Sequence, residues 1–103
     1  MVVKYSKIFT ATDAINQESF TILVETINPI GGETFVVIKA LEGKYETREE
    51  FQDAREYAIK GWEKGYTRDK GDIKLYSSIT IMPPGTRQLV DALNEALAVS
   101  EES

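Results

Sequence analysis

Residues 73–97 read IKLYSSITIMPPGTRQLVDALNEAL. This stretch decides the fold, because it changes hydrophobic period in the middle. Up to Met82 the chain alternates: Ile73, Leu75, Ile79 and Ile81 fall on one face with Ser77, and Lys74, Tyr76, Ser78, Thr80 and Met82 on the other. Period two is the signature of a strand with one buried face. Ten residues of strand span about 33 Å, a length that predicts a central or strongly twisted position. Pro83 and Pro84 end the ladder, since neither donates a hydrogen bond, and proline suits the first turn of a helix. Thr86 is an alternative N-cap. Beyond it, Leu89, Val90, Ala92, Leu93, Ala96 and Leu97 recur at helical spacing, the pattern of a helix packed on a sheet. The sequence thus predicts that this strand and helix bury each other's apolar faces, with the helix ending near Ala98 and a frayed acidic tail over 100–103.

Upstream, residues 2–11 alternate weakly, with Val3, Tyr5 and Phe9 in one set and Val2, Lys4, Ser6 and Ile8 in the other. Residues 20–27 and 34–41 are richer in β-branched side chains and read as a hairpin closed around Asn28-Pro29 and Gly31-Gly32. Ile30 sits at its tip and is expected to fold back onto the core edge. Thr47-Arg48-Glu49-Glu50 is a capping-box sequence. The helix it opens is expected to reach about Lys64, with Phe51, Ala54, Ala58 and Trp62 on a narrow apolar arc. Acids in its first turn and Lys60 and Lys64 in its last match the helix dipole, and Gly65 suits the position just past its end. The expected fold is α+β: a mainly antiparallel four-stranded sheet with two helices packed on one face, in the order β-β-β-α-β-α. A chain of 103 residues fits one domain, here 1–99.

The composition excludes several chemistries. There is no Cys and no His. Disulfides, thiolate or imidazole metal sites, cysteine nucleophiles and Ser-His-Asp catalysis are therefore ruled out. No catalytic motif is present, so the reading leans away from an enzyme. A residual option is a small dimeric α+β-barrel enzyme walled by Tyr5, Glu25, Tyr76 and Arg87. No cofactor and no metal is expected: Glu42, Glu46, Glu49, Glu50 and Asp53 cluster around a helix start without an EF-hand pattern. No apolar run is long enough to span a bilayer, and residues 1–6 show no signal-peptide core, so a cytoplasmic location is expected.

Seventeen acids against twelve bases leave a net charge of −5, which disfavours bulk attraction to nucleic acid. The exception is 55–76, where Arg55, Lys60, Lys64, Arg68, Lys70 and Lys74 interleave with Tyr57, Trp62, Tyr66 and Tyr76. Bases beside aromatic rings are the ingredients of single-strand binding. The residues that would carry it are Arg55, Lys60, Lys64, Tyr66, Arg68, Lys70, Lys74 and Tyr76. Thr86 and Arg87 form a second candidate, an anion site at a helix start. The leading expectation is a non-catalytic interaction module, homodimeric through its open sheet, that binds another macromolecule, a protein before a nucleic acid. An acidic inhibitor that mimics nucleic acid is a further alternative.

Overall fold

The computed structural model of the chain describes residues 2–15, 17–28, 32–63 and 75–102. Its elements are β1 (Val2–Thr12), β2 (Ser19–Asn28), β3 (Phe35–Glu42), α1 (Arg48–Glu63), β4 (Leu75–Ile81) and α2 (Pro83–Glu102). The four strands form one antiparallel sheet in the order β1-β2-β3-β4. The α+β class and the element order are those the sequence predicts. Of the two positions its length allowed, central or strongly twisted, β4 does not take the central one: it lies at the edge, next to β3.

The core lies between the sheet and α1. Leu23 and Leu41 from the sheet meet Phe51 and Ala58 from α1, with Ile8, Tyr45 and Ala54 packed around them. Truncating Phe51 to Ala would cost about 3–5 kcal/mol. The Tyr45 ring stands edge-on to Phe51 at 6.0 Å, a favoured aromatic geometry. α1 starts as its sequence dictates: the Thr47 hydroxyl accepts from the Glu50 N–H at 3.1 Å. The Glu50 carboxylate reaches back to the Glu46 N–H at 3.3 Å, one residue earlier than a standard capping box.

The corner between β3 and α1 is pinned by Thr21. Its hydroxyl donates to the Gly43 carbonyl at 2.8 Å and accepts the Tyr45 N–H at 3.1 Å. Gly43 has a φ of 106°, a conformation that glycine adopts without steric penalty. The β1–β2 connection closes on itself, with the Asp13 carboxylate accepting the Ile15 N–H.

Two register shifts change which face a residue occupies. One falls between Val3 and Tyr5 and leaves Lys4 as the extra residue, so Val3 parts company with Tyr5 and Phe9. The other lies between Ala40 and Leu41, so Leu75 pairs with Leu41 while Ser77 pairs with Ala40.

The largest departure from expectation is α2. Its start lies against Val36, on the face of the sheet opposite to α1, and it continues past Ala98 to Glu102. Neither Gly nor Pro stands there to stop it. Leu93 and Leu97 are 60% and 58% exposed, so the apolar stripe does not seat on this chain's own sheet. The radius of gyration is 15.6 Å, against about 13 Å for a compact chain of this size.

Candidate interaction surface

Alternation along the strands sorts their residues into two unlike faces. The face under α1 carries Ser6, Ile8 and Thr10 from β1, Thr21, Leu23 and Glu25 from β2, Val37, Lys39 and Leu41 from β3, and Ser78 and Thr80 from β4. The opposite face carries Tyr5, Lys7, Phe9 and Ala11, then Phe20, Ile22, Val24 and Thr26, then Val36, Ile38 and Ala40, then Ile79 and Ile81. The face without α1 is thus the more apolar one. Every residue named on it keeps solvent contact, and Ile79 is 45% exposed. Glu42, at the end of β3, is its only carboxylate among the described strand residues.

The covered face holds the charged group of the fold. Glu25 is buried and accepts a hydrogen bond from Arg48 Nε at 2.5 Å, with Lys39 Nζ at 3.9 Å. Burial lowers the Lys39 pKa below its ordinary 10.5, the Arg55 guanidinium lowers it further, Glu25 opposes the shift, and Arg48 adds to it. Arg55 Nε is enclosed and has no hydrogen-bond acceptor among the described residues. This group couples β2, β3 and α1, and its carboxylate is closed to solvent.

Of the four candidate wall residues, Glu25 and Tyr5 fall on opposite faces of the sheet. Of the eight residues expected to hold single-stranded nucleic acid, Arg55 lies on α1 beside Lys39. Lys60 lies within α1 and Tyr76 within β4, where only their backbone is described. Lys64, Tyr66, Arg68, Lys70 and Lys74 lie outside the described residues, as do Gly65 and the hairpin tip at Ile30. Thr86 is not the N-cap, because α2 already begins at Pro83. Its N–H and its hydroxyl both donate to the Met82 carbonyl, at 2.9 and 3.1 Å. Arg87 is exposed and lines a cleft of about 240 Å³ with Val36, Pro83, Thr86 and Val90.

Sequence reasoning missed the aromatic pair on β1. Tyr5 and Phe9 are 54% and 43% exposed, and lie four residues apart on the open face. The signal was present as the spacing Lys4-Tyr5, Lys7, Phe9 in a segment without an acid, but short alternation does not tell a wet face from a buried one. Among the described residues, no helix is long and apolar enough to cross a membrane. No protein-family model, no curated protein and no solved structure matches the chain.

Proposed function

We propose that the protein is a non-catalytic interaction module that works as a homodimer and engages another macromolecule, a protein being the favoured partner. The observation that carries this reading is the coexistence, among the described residues, of an apolar sheet face that only the start of α2 lies against and an apolar α2 stripe that stays exposed at Leu93 and Leu97. The two surfaces match in size. From Val90 to Glu102, α2 is about 20 Å long, and its stripe spans an arc about 15 Å wide on a helix about 11 Å across. A helix of that breadth covers three strands spaced about 4.8 Å apart, the span of β2 to β4. Two reciprocal helix-on-sheet contacts would bury about 1,200 Å² in total, at the lower end for specific association. The link between β4 and α2 is the single residue Met82, followed by two prolines with fixed φ. That stiff corner favours a seat on a second copy over a fold-back onto the same sheet.

Sedimentation equilibrium or light scattering tests the reading. The expected result is a dimer in the micromolar range for the wild-type chain. Leu93→Glu and Leu97→Glu should raise the dissociation constant at least tenfold without lowering the stability of the sheet. A monomer at high micromolar concentration would overturn the proposal. The alternative residues for single-stranded nucleic acid within 55–76 gain no support, because five of the eight, Lys64, Tyr66, Arg68, Lys70 and Lys74, lie outside the described residues.

A further inference from the structure

We propose that β1 carries a track for single-stranded nucleic acid, with Tyr5 and Phe9 stacking bases and Lys4 and Lys7 meeting phosphates. This site goes beyond the dimer reading, since a helix lying over β2 to β4 leaves β1 uncovered at the rim. Four observations converge on it. The two rings share the open face and stand about 13 Å apart along the strand, with Lys7 between them. Both rings are about half exposed, although β1 is hydrogen-bonded along its length to β2. The irregularity at Lys4 inserts an extra basic residue immediately beside Tyr5, and bulges of this kind re-aim side chains. Finally, β1 contains two lysines and no acid, in a chain whose net charge is −5. Neither lysine has a carboxylate partner among the described residues.

The chemistry selects a single strand over a duplex. A ring standing on a sheet stacks on a base only if the base face is bare, and stacking of this kind tolerates any sequence. In a duplex those faces are hidden, and recognition runs through groove edges and hydrogen bonds instead. A purely apolar protein partner would not explain why a lysine separates the rings. Because only two lysines contribute, binding should depend weakly on salt, with a slope of log affinity against log salt of about −1.4 per track.

Fluorescence polarisation with a labelled oligothymidylate of about 12 nucleotides tests the site on the full chain. The wild type should bind at low salt and prefer the single strand to its duplex. Tyr5→Ala and Phe9→Ala should each weaken binding about 5- to 150-fold, the range for losing one stacked base. Tyr5→Phe should retain most of the affinity. Lys7→Ala should reduce the salt slope by about 0.7. Circular dichroism should show both alanine variants folded, since each ring is exposed. The proposal is overturned by no binding at low salt, by equal binding of duplex, or by affinity indifferent to both ring truncations.

Discussion

Arg48 Nε and Glu25 Oε2 lie 2.5 Å apart, so the first residue of α1 is fastened to the middle of β2 by a buried carboxylate. The contact links elements 23 residues apart in sequence. It also fixes where α1 meets the sheet, because Leu23 lies two residues along the same face and belongs to the same buried cluster as Phe51 and Ala58.

Removing one partner of a buried ion pair leaves the other charge desolvated. Arg48→Met leaves Glu25 with only the more distant Lys39, and should destabilise the fold by about 1–3 kcal/mol. Replacing both partners, Glu25→Leu with Arg48→Met, should recover only part of that loss, since the apolar pair needs no compensation but Lys39 loses the carboxylate at 3.9 Å. Urea unfolding of the two single variants and the double variant measures the coupling. Strictly additive losses would show that the pair acts as two independent groups.

A side chain at Gly43 faces two penalties. The backbone is in the left-handed region, and an added Cβ would come within 2.8 Å of the Tyr45 hydroxyl oxygen. Gly43→Ala should cost about 1–3 kcal/mol. In a Tyr45→Phe background the steric part should shrink but not vanish, because the ring carbons lie at 3.1 and 3.3 Å. Thermal unfolding of the two alanine variants separates strain from clash.

Two groups couple stability to alkaline pH, with opposite signs. The pKa of Lys39 is lowered by burial and then by Arg55, so the unfolded chain binds more protons between the folded value and 10.5. Stability contributed at this site rises with pH through that window. The pKa of Tyr45 is raised by burial and then by Glu42, so above 10.0 the unfolded chain loses its proton first. Stability at that site falls as pH climbs from 10.0. Lys39→Met should remove the rising component and Tyr45→Phe the falling one. Urea midpoints followed from neutral pH past 10.5 would show the two limbs separately.

Much of the fold was legible in the residues. The β2–β3 hairpin was readable because its strands are long and β-branched, and α1 because capping, dipole and apolar arc agree. The change of period at Pro83 located α2. What could not be read follows from interactions that are not local. Lys4 and Tyr76 are the extra residues at two register shifts, and a period-two pattern carries no mark of a shift until the partner strand is known. The stripe of α2 was readable as apolar, but the same stripe serves a helix on its own sheet and a helix on a neighbour's. Tyr5 and Phe9 were assigned to a strand, while their exposure depends on α1 covering the other side. Glu25 was named in the sequence only as a candidate wall residue, because its partner Arg48 comes from beyond the next strand.

Met82 is the sole residue between the β4 ladder and the first turn of α2. A joint so short transmits torque, and whatever grips the far end of the helix must twist the sheet margin to which it is bolted. Amide exchange along β4 is therefore a strain gauge for α2. Its protection should climb when the helix finds its seat, before any other strand registers the event.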